Sequence, residues 1–237
     1  IDENLWGRTA ECGPLEDPWT APPEDAFART AAAADRPSGC TEITLTFDRG
    51  VPVALDGETL RLAELIRRVD VVAGSYGTGR VDMIENRRVG IKSRELYEVG
   101  GALAIITAHR ALEALTVERD VAHYKPGIEA RWADLVYDGR WFSPLREALD
   151  AFIASTQVSV TGEVRLRFEA GSASVVGRRS PNSLYDLSLA TYGQGDLFDQ
   201  RDARGYLRLS GLSLATWARA RDRSTEPDPE DALDPVR

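Results

Sequence analysis

The side chains with the most chemistry in this sequence are concentrated in one stretch of 14 residues. Glu85-Asn86-Arg87-Arg88-Val89-Gly90-Ile91-Lys92-Ser93-Arg94-Glu95-Leu96-Tyr97-Glu98 holds four bases, three acids, an amide and a tyrosine. Such a composition suits a solvated surface. The stretch also directly precedes the most apolar helical pattern of the chain, which keeps it close to the core. A carboxylate and a phenol held there, beside a glycine turn, could clamp a small zwitterion. The carboxylate would meet an ammonium through a charge-assisted bond, and the tyrosine hydroxyl would donate to a carboxylate. Both readings stand on the residues alone.

Other constellations carry less. Gly74, Gly77 and Gly79 form a glycine-rich stretch that follows a helical pattern, the wrong context for a dinucleotide fingerprint, and no GxxxxGK[ST] loop occurs. A helix end followed by a turn is the plainer reading, against a loop whose backbone approaches a ligand. His109 and His123 lie on expected helices with no HExxH motif and no partner four residues away, so no metal site is expected. Cys12 and Cys40 are not in a CxxC pair, which excludes a disulfide framework and a cysteine zinc site and leaves two reduced cytosolic thiols. There is no GxSxG elbow, so residue patterns name no nucleophile. The five tryptophans read as core and interface anchors.

The elements that must position these residues follow from periodicity. Residues 1–41 carry Pro14, Pro18, Pro22, Pro23 and Pro37, which disfavour long helices and central strands. Ile43, Leu45 and Phe47 alternate with polar residues, the period of a half-buried strand, and turn through Asp48-Arg49-Gly50 into a second strand at Val51 to Leu55. Leu62, Leu65, Ile66, Val69 and Val72 fall at helical spacing, and residues 80–87 read as extended. A second helix is expected over 101–115. A third is expected over 117–137, broken or kinked at Pro126-Gly127. Ser143-Pro144 places a serine at the N-cap and a proline at the first turn of a fourth. Strands return at Val158 to Val176. Residues 200–222 suggest one or two amphipathic helices. Strands early and late with helices between them predict an α+β fold: a mostly antiparallel sheet packed with several helices, an irregular N-terminal arm and a C-terminal helical oligomerisation tail.

Bulk properties set outer bounds. At roughly 100–200 residues per domain, 237 residues make one large domain or two small ones. The 29 basic and 38 acidic residues give a net charge of -9, which argues against nucleic acid and against attraction to anionic membranes. The longest apolar run, Gly100 to Ala108, falls short of the roughly 20 residues of a membrane span. Ile1-Asp2-Glu3-Asn4-Leu5-Trp6 lacks the pattern of a signal peptide and reads as though it begins in the middle of something. A cytoplasmic location is expected.

Several long strings carry a resemblance. Ile1-Asp2-Glu3-Asn4-Leu5-Trp6-Gly7-Arg8, Leu15-Glu16-Asp17-Pro18-Trp19, Gly79-Arg80-Val81-Asp82-Met83-Ile84-Glu85-Asn86-Arg87 and Gly90-Ile91-Lys92-Ser93-Arg94 come first in chain order. Thr107-Ala108-His109-Arg110, Leu135-Val136-Tyr137-Asp138-Gly139, Trp141-Phe142-Ser143-Pro144-Leu145, Thr161-Gly162-Glu163-Val164-Arg165-Leu166 and Gly177-Arg178-Arg179-Ser180-Pro181-Asn182-Ser183-Leu184-Tyr185 follow. In this order they resemble the C-terminal synthetase region of the argininosuccinate synthase family, across about residues 1–215.

That resemblance implies a ligase of arginine biosynthesis. It condenses L-citrulline with L-aspartate and converts ATP, taken with Mg2+, to AMP and pyrophosphate. ATP would be bound mainly by a preceding nucleotide-binding domain outside this chain, so the chain alone is expected to be inactive. Glu85 and Tyr97 match the family's citrulline-binding glutamate and tyrosine, and Thr9 sits where many members place a citrulline-contacting serine. The resemblance divides the chain into an arm at 1–41, a synthetase domain at 42–199, C-terminal oligomerisation helices at 200–223 and a disordered acidic tail at 224–237. The helices at Leu209 to Arg223 would join a homotetramer, with Trp217 as an anchor. The family often has proline near Val99-Gly100, so glycine there suggests a looser helix start. A non-catalytic oligomerisation module of the same fold is the alternative.

Overall fold

The computed structural model describes residues 1–190 and 201–225, with side chains to Asp222 in the last helix. Residues 1–185 make one unit and residues from Asp186 onward a second. In the first unit the strands are β1 (Asp2–Asn4), β2 (Gly7–Ala10), β3 (Thr41–Asp48), β4 (Val51–Leu55), β5 (Glu58–Thr59), β6 (Arg80–Asn86), β7 (Lys92–Glu98), β8 (Gly162–Glu169) and β9 (Ser172–Arg179). Its helices are α1 (Leu62–Ser75), α2 (Gly100–Thr116), α3 (Arg119–Tyr137) and α4 (Pro144–Thr156). The strands form two antiparallel sheets, ordered β5-β4-β3-β8-β9 and β1-β2-β7-β6. The α+β class expected from the patterns is the one observed.

The larger sheet carries the core. Ile43, Leu45 and Phe47 point inward together, and β3 pairs with β8 in a register that sets Leu45 opposite Val164 and Ile43 opposite Leu166. Two residues per repeat on each strand therefore make one continuous apolar face. Leu65, Ile66 and Val69 of α1 and Ala104, Ile105, Ala108 and Leu112 of α2 close over it at three-and-four spacing.

Four local expectations resolve differently or more sharply. The proline-rich arm is not wholly irregular, because β1 and β2 lie within it and β2 is an interior strand of the smaller sheet. Of the break or kink expected at Pro126-Gly127, the break does not occur: the helix runs through it from Arg119 to Tyr137. A proline removes one ladder bond, and Lys125, ion-paired to both Glu113 and Glu129, holds that turn. The strand expected from Val158 begins only at Gly162. Residues 157–161 are used in the turn out of α4, where Val160 donates to the Gln157 carbonyl and accepts from Gly50. The glycine-rich stretch is the exit from α1: the amides of Tyr76 and Thr78 return to the Ala73 carbonyl and that of Gly77 to Gly74.

The start of α2 is closely packed. Asp70 of α1 accepts the Gly101 amide at 2.9 Å, and Gly100 lies against the Thr78 carbonyl and the Ala73 side chain. Glycine here permits a helix-to-helix approach that a Cβ would block.

The second unit contains α5 (Leu187–Ala190), α6 (Asp202–Ser210) and α7 (Leu212–Thr225). Tyr206, Leu207, Leu209, Leu212, Leu214 and Trp217 are exposed on α6 and α7. The acidic tail expected from residue 224 lies, beyond Thr225, outside the described residues. Among the described residues no helix is long and apolar enough to cross a membrane.

Candidate functional site

The smaller sheet turns the 14-residue polar stretch into two opposed faces. β6 and β7 form a hairpin closed by the Arg87–Ile91 turn, with Val81 opposite Tyr97, Met83 opposite Glu95 and Glu85 opposite Ser93. On the other side of β7, Thr9 of β2 is the direct partner of Tyr97. Residues opposite one another share a face, and residues two apart on a strand do too. Thr9, Tyr97, Glu95, Ser93 and Glu85 therefore stand together on one face, and Arg8, Glu98, Arg94, Asp82 and Arg80 on the other.

The second face is fully engaged. Glu98 is 3% exposed. Its carboxylate accepts from the amides of Ala28, Arg29 and Thr30 at 2.8–3.1 Å, from the Thr30 hydroxyl at 2.7 Å and from Arg8 at 2.9 Å. Burial pushes its pKa up, but those donors outweigh burial and hold the carboxyl below its ordinary value. Arg94 donates to both oxygens of Asp82 and to the carbonyls of Asp17 and Thr20 at 2.6–2.9 Å. Arg80 reaches Glu24 and the Thr30 hydroxyl. Residues 15–30 of the arm are thus fastened over this face.

The first face is the open one. Thr9, Glu85, Glu95 and Tyr97 are half-buried and Met83 is exposed. The Tyr97 hydroxyl donates to Glu85 and lies 3.3 Å from Glu95 Oε2. Burial, then the Glu85 hydrogen bond, then the charges of Glu85 and Glu95 push the phenol pKa far up. The hydroxyl therefore stays protonated and remains a donor. Burial and the charge of Glu85 also raise the Glu95 carboxyl. Beside them the Ser93 hydroxyl is shut off from solvent and has no hydrogen-bond partner. Two carboxylates, a locked phenol donor and the Thr9 hydroxyl on one accessible face can hold an ammonium at one end and a carboxylate at the other.

A family model for the arginosuccinate synthase C-terminal domain matches residues 1–217. This chain belongs to that family. It is 57% identical over 212 residues to an argininosuccinate synthase of Lactiplantibacillus plantarum, covering 90% of this chain and 52% of the relative. It is 50% identical over 236 residues to one of Rubrobacter xylanophilus, covering 100% and 56%, and 53% identical over 218 residues to one of Ligilactobacillus salivarius, covering 92% and 54%. The chain spans about half the length of these relatives.

Within this arginosuccinate synthase C-terminal domain the structure brings Thr9, Glu85 and Tyr97 onto one face, and it bonds two of them to each other. Periodicity and composition did not single out Glu95, Ser93 or the Arg8–Glu98 pair. The signal available was the alternation of Ser93, Glu95 and Tyr97 along residues 92–98, which marks a strand with a polar face. Among the described residues no cluster of three or more His, Cys, Asp or Glu is placed to hold a metal ion.

Proposed function

We propose that the face carrying Thr9, Glu85 and Tyr97 binds L-citrulline, and that the chain forms the acceptor-binding half of an ATP-dependent ligase of arginine biosynthesis that makes argininosuccinate. The observation that carries this reading is the Tyr97–Glu85 hydrogen bond on an open sheet face, in a chain of this family. Citrulline would replace that bond: its ammonium would meet the Glu85 carboxylate, its carboxylate would accept from the Tyr97 hydroxyl, and Thr9 would add a hydroxyl contact. In the reaction the ureido oxygen attacks the α-phosphorus of ATP and pyrophosphate leaves. The amine of L-aspartate then attacks the activated ureido carbon, expels AMP and loses a proton.

The half-exposed face supports a division of labour. A polar site this open needs a second surface to exclude water during adenylyl transfer. In this reading that surface is the nucleotide-binding domain, which holds ATP and its Mg2+. The same reading makes the enzyme a cytoplasmic homotetramer, supported by the apolar side chains exposed on α6 and α7.

Co-expression with the nucleotide-binding domain of a close relative tests the assignment. The reconstituted enzyme should form argininosuccinate, and Glu85→Ala should raise the KM for citrulline by at least tenfold, about 1.5–3 kcal/mol for a lost charged hydrogen bond. Unchanged citrulline saturation in that variant would remove Glu85 from the site. An oligomer that neither binds citrulline nor turns over would leave an assembly module.

A further inference from the structure

A cavity of about 740 Å³ lies between α2, α3, α4 and the β3–β4 turn. It belongs to the far half of α2: its α2 residues, Ile106 to Glu113, are about 9–20 Å along the helix from Gly100 at 1.5 Å per residue. None of its lining residues belongs to β2, β6 or β7, which carry the polar face of the smaller sheet.

The cavity's acidic groups are already satisfied. Glu113 accepts from Lys125 at 2.8 Å and from the Gln157 amide at 2.7 Å. The Gln157 carbonyl oxygen is 2.8 Å from His109 Nε2. Lys125 also pairs with Glu129. Asp150 accepts from the Trp132 indole at 2.6 Å and pairs with Arg146. Two cations of the lining, Arg49 and Arg110, differ. Among the described residues neither guanidinium has an ion pair, a hydrogen bond or a ring contact. Apolar surface is left uncovered beside them, since Val51 is 50% and Ile106 42% exposed, with Ile153 on the same wall.

Unpaired positive charge next to uncovered aliphatic surface defines a ligand with both properties. We propose that this cavity binds a small organic anion with an apolar body, of the class of medium-chain carboxylates. The anionic head lies on Arg49 and Arg110, and the chain lies against Val51, Ile106 and Ile153. The volume falls in the range of small-molecule sites, about 300–1,000 Å³. Guanidinium suits a carboxylate because two of its donors match the two oxygens. Glu113 and Glu129 share the Lys125 ammonium and Asp150 pairs with Arg146, so each carboxylate of the lining already holds a cation.

The test uses the 237-residue chain and three probes of equal length: octanoate below its micelle concentration, octylammonium and octanol. The Trp132 indole N–H resonance, assigned through Trp132→Phe, reports occupancy in a nitrogen-correlated proton spectrum. Octanoate should move it saturably, and octylammonium should bind at least tenfold more weakly. Arg49→Gln with Arg110→Gln should weaken octanoate at least tenfold while leaving octanol unchanged. Ala154→Trp, which fills the cavity from α4, should abolish all binding with the circular dichroism of the parent. The proposal is overturned if the Trp132 resonance does not respond. Equal affinity for octylammonium, or indifference to the two arginine substitutions, overturns it as well. So does sedimentation showing the parent self-associated through this face and Ala154→Trp dissociated, because the occupant would then be a second copy.

Discussion

Arg8 of β2 and Glu98 of β7 are cross-strand partners and are ion-paired at 2.9 Å, with side chains only 11% and 2% exposed. They are the immediate neighbours of Thr9 and Tyr97, which face the other way. The pair therefore sets the separation and register of the two strands that carry half of the candidate site, while five further hydrogen bonds to Glu98 pin residues 28–30 behind it.

Removing the Glu98 carboxylate leaves Arg8 and three amides without their acceptor. Glu98→Ala should lower unfolding stability by about 3–5 kcal/mol, the usual cost of breaking a buried ion pair on one side. Glu98→Gln should lower it by less, since an acceptor remains. The pH dependence has a definite sign. The folded carboxyl lies below its ordinary 4.5, so the unfolded chain binds the proton more readily. The contribution is complete above about pH 4.5 and is lost as pH falls through the folded value. Denaturant titrations between about pH 3 and 7 should show a steeper acid loss in the parent than in Glu98→Gln.

Tyr97 should not ionise with the other tyrosines. Its folded pKa lies far above the ordinary 10.0, so its stabilising contribution is complete below pH 10 and declines as pH rises further. A phenolate absorbance titration of the parent minus Tyr97→Phe should show that one of the seven tyrosines is missing from the main step. In the reconstituted enzyme Tyr97→Phe should raise the citrulline KM about tenfold, with unfolding stability changed by only about 1 kcal/mol, the net worth of an ordinary hydrogen bond.

Lys125 is nearly inaccessible between Glu113 and Glu129. Burial alone would depress its pKa, but the two carboxylates raise it above the ordinary lysine value. Lys125→Met should cost about 3 kcal/mol by stranding Glu113. Combining it with Glu113→Gln should recover more than half of that loss, because the amide still accepts from Gln157. Urea midpoints of the two single variants and the double variant measure the coupling.

Gly79 has φ of +102°, and a Cβ there would fall 2.2 Å from the Gly100 Cα. Gly79→Ala should destabilise by more than about 3 kcal/mol through the combined φ penalty and clash. Gly57, at φ +82° with nothing within 4 Å of its Cβ position, is the control. Gly57→Ala should cost only about 1–2 kcal/mol, the left-handed penalty alone. Thermal melts followed by far-ultraviolet circular dichroism separate the two.

Several features of this protein were legible in its sequence because short-range periodicity sets them. Ile43, Leu45 and Phe47 alternate, so they could only line one face of a strand. Ser143-Pro144 announced the start of α4, and the Ser143 hydroxyl does accept the Arg146 amide. The polar character of residues 85–98 and the family resemblance likewise lie in the sequence itself. Tertiary structure alone decided that Thr9 stands beside Tyr97 and that the Glu98 carboxylate anchors the arm. Those facts depend on a pairing between strands some 88 residues apart, and local preference carries no information about which distant strand completes a sheet. The same holds at Pro126, where proline's intrinsic disfavour for helix is opposed by an ion pair from Glu113 of α2 to Lys125 that the periodicity of α3 does not contain.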